Sequence, residues 1–342
     1  MSAIEKRVEE LHGYTSANLP AQVFSATEPL LLKGLVADWP MAQAVQESAQ
    51  AGFDYLQKFC TEGPVNVSLG SPDVQQRIFY NESFTGFNFD FKRVQFQELV
   101  ATLQRQQQAE SGPMIYMGST PIDYCLPGFR DHNDLALGDV KPVIRLWLGN
   151  QTRIAAHYDI PDNIACVVAG KRRFTVFPPE QLENLYVGPL DLTPAGQAIS
   201  LVDFQQPDFD RHPKFRAALK QARLAELEPG DALFIPSMWW HHVEGLDSFN
   251  MLVNYWWQSV PAYLGSPLDA LYHALLSIRD LPAAQRDAWR GLFEHYVFSA
   301  DASNPDDSVA AHIPEQARGP LAPLDEPAAR KLRALLLKHL NR

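Results

Sequence analysis

The chain has 342 residues, 46% of them apolar, 11% aromatic and 20% charged, which excludes wholesale disorder, a collagen-like chain and a coiled-coil rod. With 40 Asp and Glu against 29 Lys and Arg the net charge is -11. So acidic a surface repels phosphate backbones and argues against sequence-independent nucleic-acid binding.

Three scattered cysteines, Cys60, Cys125 and Cys166, are too few for a disulfide framework and read as reduced thiols. The N-terminal stretch Met1 to Tyr14 has no apolar core of the signal-peptide kind, and no run has the length of a membrane span, so a cytoplasmic protein is expected. Residues 2–11 predict a short polar helix. Leu30 to Leu35 predicts a strand, closed by Gly34 and Asp38-Trp39-Pro40. Residues 64–69 and 76–80 are β-rich, and Phe87, Phe89 and Phe91 alternate as in a strand with one buried face. Gln95 to Gln108 carries helix formers, with Phe96, Leu99, Val100 and Leu103 on one stripe.

From Pro142 the texture changes. Short β-rich runs occupy 143–149, 154–159, 163–168, 171–177, 232–236, 239–244 and 249–257, most of them separated by turn residues such as Gly149-Asn150 and Pro229-Gly230-Asp231. Strands at this spacing predict an antiparallel barrel or sandwich. A segment rich in Pro, Asp and Phe (178–228) interrupts the series, with a short helix expected near 212–221. After Pro261 the chain turns helical. Ser266-Pro267-Leu268-Asp269 reads as a helix start, Pro282 opens a second helix, and Leu332, Leu335, Leu336 and Leu340 stripe a last one. An apolar stripe beyond a completed barrel must be covered, by the barrel itself or by a second copy. A homodimer through these helices is expected.

The chemistry concentrates in His157-Tyr158-Asp159. On a strand, residues i and i+2 point to one side, so an imidazole and a carboxylate project together. A buried carboxylate needs a cation or several donors. Trp239-Trp240-His241-His242 supplies a second imidazole from another predicted strand. Alternation lets only one of its two histidines face inward, and His241 is the one chosen. Two imidazoles and a carboxylate leave three open positions, the arrangement suited to non-haem Fe(II). Taken alone, a His-x-Asp pair is weak. A core histidine and a turn cap would explain it, and only the surrounding strand and turn pattern raises it above that.

The stretch from Leu146 to Trp257 resembles the JmjC/cupin-like 2-oxoglutarate oxygenases, and most closely the asparaginyl hydroxylase branch that inhibits the hypoxia-inducible factor. Segments carrying the likeness include His157-Tyr158-Asp159, Asn163, Gly170-Lys171-Arg172-Arg173-Phe174, Phe177-Pro178-Pro179, Gly230-Asp231, Trp239-Trp240-His241-His242 and Val253-Asn254-Tyr255-Trp256, all in the family's order. The resemblance implies a mainly β fold: a double-stranded β-helix (jelly-roll or cupin) core with N-terminal α/β elements and a C-terminal helical segment. The expected domains are 1–260, catalytic, with N-terminal elements over 1–140 and the core over 141–260, and 261–342, helical.

By the same resemblance His157, Asp159 and His241 are catalytic iron ligands, and Tyr116, Asn163, Arg172 and Asn254 contact 2-oxoglutarate. Two departures stand out. Arg172 falls where the family places a lysine, and Ile154 where it places a threonine. Arginine still offers a fixed charge and a bidentate fork. Thr152 restores a hydroxyl only if the backbone bulges. The expected activity is Fe(II)- and 2-oxoglutarate-dependent hydroxylation of a C–H bond, with dioxygen consumed and 2-oxoglutarate decarboxylated to succinate. The substrate is a protein side chain or a small molecule, with a modified tRNA base ranked behind them. The rival is a cupin module that binds a metal or ligand without turnover and acts as a dimeric scaffold.

Overall fold

The structure is a computed structural model that describes residues 4–107, 112–299 and 309–341. The chain divides into two compact units, Met1–Gln258 and Ser259–Arg342.

In the first unit the strands run β1 (Glu9–Leu11), β2 (Leu30–Leu32), β3 (Pro64–Gly70), β4 (Arg77–Ile78), β5 (Asp90–Gln95), β6 (Met114–Pro121), β7 (Val143–Gly149), β8 (Thr152–His157), β9 (Asp162–Ala169), β10 (Arg172–Phe177), β11 (Arg223–Leu227), β12 (Ala232–Ile235), β13 (Trp240–Gly245) and β14 (Asn250–Trp257). They form two sheets. One has nine strands in the order β1-β2-β12-β9-β14-β7-β6-β3-β5, the other five in the order β11-β10-β13-β8-β4. From β7 to β14 successive strands alternate between the sheets, apart from β10 and β11, which are neighbours in the five-stranded sheet. That is the winding of a double-stranded β-helix, and the cupin-like core is present as expected.

The core strands are buried on both faces. Every residue of β8, β12 and β13 is buried, so their run-like sequences reflect a sheet covered on both sides. Outside the nine-stranded sheet lie α1 (Pro40–Glu47), α2 (Ala49–Gln57) and α3 (Phe96–Gln106). The α3 stripe of Phe96, Leu99, Val100 and Leu103 is fully buried. Their cluster also holds Phe53, Phe129, Met251 and Tyr255.

Several expectations change. Residues 4–8 form no helix, and Glu9–Leu11 is a strand laid parallel on Leu30–Leu32. A short polar segment has little helical stability of its own, and the ladder offered by β2 wins. Residues 2 and 3 lie outside the described residues. The aromatic strand starts at Asp90 instead of Phe87, and Phe91 is 63% exposed. A helix, α4, spans Ile122–Cys125, and α5 spans Phe215–Gln221. Inside the segment read as an insertion, Arg223–Leu227 is β11, which pairs with β10. All three cysteines are free thiols.

The second unit contains α6 (Pro267–Ser277), α7 (Ala283–Phe293) and α8 (Glu326–Leu340). Ser266 stands at the N-cap of α6 with Pro267 in the first turn. Asp325 caps α8 by accepting from the Ala328 amide. Among the described residues no helix is long and apolar enough to cross a membrane.

Candidate metal centre

β8 and β13 are antiparallel neighbours, and their register sets His157 directly opposite His241. Directly opposed residues share a sheet face, so the two imidazoles meet with ring centroids 4.3 Å apart. Between His241 and Val243 the register slips, and Val243 faces Ile154. Three residues of β8 thus span two of β13, a β-bulge in β8. Its consequence is specific. Ile154 and His157, three apart, both line the cavity, while Ala155 and Ala156 pack into outer clusters.

Asp159 lies beyond the end of β8, in the following turn, where strand periodicity alone cannot aim it. The Met238 amide donates to its carbonyl over 2.9 Å, which ties this turn to the start of β13. The Ser237 amide and hydroxyl add bonds to the Asp162 carboxylate and the Ile160 carbonyl. The carboxylate ends 3.7 Å from His241 Nε2. Among the described residues His157, Asp159 and His241 form the one group of His, Cys, Asp or Glu whose candidate ligand atoms all lie within 4.8 Å of one another.

The donor set fits a cation. Nδ1 of His157 faces the Ala155 carbonyl at 2.9 Å, and Nδ1 of His241 faces the Trp239 carbonyl at 3.1 Å. A carbonyl only accepts, so each Nδ1 carries the hydrogen and each Nε2 is left as a lone-pair donor, the bracing common to metal-bound histidines. Burial, and then the neighbouring His157 ring, lowers the His241 pKa to about 4, so this imidazole is neutral near pH 7. The 3.7 Å approach of Asp159 to His241 is therefore no salt bridge. Two imidazole nitrogens and a carboxylate oxygen, all within 4.8 Å of one another, form a donor set that a divalent ion completes.

The cavity around these groups measures about 640 Å³. Asn163 donates to Asp159 Oδ2 over 3.3 Å, and Asn254 donates to Asn163 Oδ1 over 2.6 Å. The carboxylate, which can only accept, sets the polarity of this amide chain. Asn254 Oδ1 ends it buried and without a partner.

Arg172 is 3% exposed, lines the same cavity and has no carboxylate within 4 Å among the described residues. Its Nε has no hydrogen-bond partner. Burial lowers its pKa to about 10, which leaves it charged at pH 7. A buried, unpaired guanidinium calls for an anion. Tyr116 stacks on Trp147 at 6.1 Å, and burial raises its phenol pKa. Gly118 permits this stack, because a Cβ there would come within 3.1 Å of the Trp147 ring. Lys171, one residue from Arg172, points outward to Glu228, and Arg173 pairs with Glu226.

His242 faces away from the cavity and stacks on Phe204 at 4.5 Å. Thr152 is buried but does not line the cavity, so the bulge brings in the Ile154 side chain and restores no hydroxyl there. Trp256 joins Trp147 in the wall, while Trp239, Trp240 and Trp257 are core. Sequence reasoning missed Trp147, Ser68, Asn66, Gln197 and Gln258 in the lining. For Trp147 the alternation of β7 was the available signal. The others come from segments whose packing no local pattern announces.

A profile for the cupin-like domain matches residues 16–263, which is most of the chain and every strand from β2 to β14. The chain belongs to the cupin-like domain family. The two-histidine, one-carboxylate triad typical of Fe(II)/2-oxoglutarate oxygenases sits where that family membership leads one to look. The tRNA wybutosine-synthesizing protein 5 of Gallus gallus is 30% identical over 82% of this chain and 91% of its own length. Lysine-specific demethylase JMJ31 of Arabidopsis thaliana is 34% identical over 40% of this chain, and Lysine-specific demethylase 8 of Xenopus tropicalis 26% over 74%. The matches span only 24% and 53% of those two demethylases.

Proposed function

We propose that this cupin-like chain is an Fe(II)- and 2-oxoglutarate-dependent dioxygenase that hydroxylates a C–H bond of a protein side chain or small molecule. The observation that carries it is the coexistence, in one cavity, of the His157, Asp159 and His241 donor set and the unpaired Arg172 guanidinium.

In this reading His157 and His241 hold Fe(II) through Nε2 and Asp159 through its carboxylate. Arg172 takes the distal carboxylate of 2-oxoglutarate, with the Tyr116 hydroxyl beside it. The Asn163 amide, itself held by the Asn254 Nδ2 donor, keeps Asp159 oriented, and both amides line the keto-acid site. Trp147, Trp256 and Ile154 exclude water. When bound, Fe(II) and 2-oxoglutarate would supply oxidation of a C–H bond by dioxygen, one oxygen atom going to the hydroxylated product and the other to succinate as 2-oxoglutarate loses carbon dioxide. Removal of an N-methyl group proceeds through the same hydroxylation, so the names of the demethylase relatives are compatible with it. The motif likeness to an asparaginyl hydroxylase supports a protein side chain as substrate. The length of the match to a protein named for tRNA wybutosine synthesis supports testing RNA beside it. The exposed apolar residues of the second unit, such as Leu276 at 79%, support a homodimer through the C-terminal helices.

Succinate formation from 2-oxoglutarate by the purified, iron-loaded chain tests the assignment, since turnover without substrate also registers. No succinate, with stoichiometric iron bound, would reject it in favour of a binding module. Ile154, standing where the family places a hydroxyl, is the feature that favours that second reading.

A further inference from the structure

We infer that β5 is a docking edge for an extended, acidic polypeptide whose reacting side chain enters the cavity beside Phe91. This rests on the oxygenase reading of the cavity and adds to it a substrate class.

β5 ends the nine-stranded sheet and pairs only with β3. Among the described residues its outer edge makes no backbone hydrogen bond. Asp90, Phe91, Lys92 and Arg93 are all exposed. Proteins ordinarily guard such an edge with charged side chains, proline, a bulge or a covering segment. Here Asp90, Lys92 and Arg93 supply the charges, and proline and a bulge are absent from Asp90 to Gln95.

The edge is continuous with the cavity. Ser68 on β3 stands opposite both Phe91 and Tyr116, and Asn66 stands opposite Arg93. These five residues therefore share one face, and Tyr116, Ser68, Asn66 and Phe91 line the cavity. A strand added to β5 would extend that face and hang every second side chain over the mouth. Phe91 is a rigid ledge there, met edge-on by Phe89 at 5.2 Å and Phe87 at 6.1 Å.

Charge selects the occupant. Lys92 and Arg93 are exposed, and no ion pair among the described residues involves them. Against the single exposed carboxylate of Asp90, Arg93 on the cavity face and Lys92 on the opposite face leave this edge net positive on a chain of net charge -11, which favours a partner rich in Asp and Glu. The alternating N–H and C=O groups of a strand edge match another peptide backbone and not a sugar-phosphate chain, so the anion is a polypeptide.

The test uses the full chain without iron or keto acid. Fluorescence anisotropy would follow a short labelled peptide rich in Glu, Asp, Thr and Val, its Lys-for-acid counterpart, the acidic peptide N-methylated at alternate amides, and an oligouridine RNA. The acidic peptide should bind best, lose affinity with salt, and fail when N-methylated. Hydrogen exchange should slow at amides within 90–95. Lys92→Glu with Arg93→Glu should weaken binding about tenfold at an unchanged melting temperature. If that double variant does not fold, Arg93→Gln and Phe91→Ala replace it, each expected to weaken binding severalfold. Equal binding of acidic and basic peptides, protection confined to other segments, or preference for the RNA would each overturn the docking edge. Binding is read without turnover, so an inactive enzyme leaves it standing. Succinate formation without any peptide binding would sink the docking edge alone.

Discussion

Three side chains and one cation define what the site can do. His157 and His241 meet because two strands are in register, and each is braced by the carbonyl two residues before it. Removing a ligand leaves a set that holds a divalent ion poorly. His241→Ala should abolish stoichiometric iron binding and lower succinate formation by at least about 100-fold, the scale of losing a principal catalytic group. Calorimetric metal titration and a succinate assay measure both. Arg172→Gln should raise the KM for 2-oxoglutarate about tenfold or more, with a smaller change in kcat, and Arg172→Lys should recover part of it. A variant with unchanged KM would remove Arg172 from the keto-acid site. His242 differs from its neighbour. Burial, then Arg153 and Arg77, lowers its pKa to about 3 against an ordinary 6.5. Below pH 6.5 the unfolded chain binds a proton that the folded chain refuses, so stability falls with pH. At pH 5 this one group costs about 2 kcal/mol relative to pH 7. His242→Phe, which keeps the stack on Phe204, should flatten that part of the profile in urea melts at pH 7 and pH 5.

At the scale of elements, the bulge in β8 and the turn before β12 do most of the positioning. The bulge turns Ile154 inward; a regular strand would have turned it out. The turn is pinned by Asp231, whose carboxylate accepts from Lys33 Nζ and from the Gly34 and Glu228 amides at 2.9 Å. Gly230 holds φ +105°, a region that favours glycine, and a Cβ there would meet Ala37 at 3.2 Å. Asp231→Ala strands those donors and should cost about 2–4 kcal/mol in chemical denaturation. A loss below 1 kcal/mol would mean that the turn is held by other contacts. The strand runs from 143 to 257 were legible because alternation and turn residues bracket them closely. Asp159 was legible as a ligand but not as a turn residue, because a strand's end is fixed by its partner's bonds. The N-terminal segment was misread for the same reason: its partner, β2, lies far along the chain.

Over the whole molecule, the two units differ in how much apolar surface they leave open. The barrel unit buries most of its large side chains, whereas Leu271, Leu276, Trp289, Leu292, Leu336 and Leu340 of the second unit are each more than two-fifths exposed. If a second copy covers them, Leu336→Asp with Leu340→Asp should convert a dimer to a monomer in sedimentation velocity. A wild-type chain that sediments as a monomer at micromolar concentration would end the dimer proposal. The sequence by itself determined the class of fold and the residue types of the metal site, because period-two alternation and the His-x-Asp spacing are local properties. Only the tertiary structure decided which histidine faces the cavity, that Ile154 does so too, that Arg172 is buried without a counter-ion, and that β5 is left as a bare edge. Each of these depends on the register between strands distant in the chain, and register is set by pairing and packing that no single segment encodes.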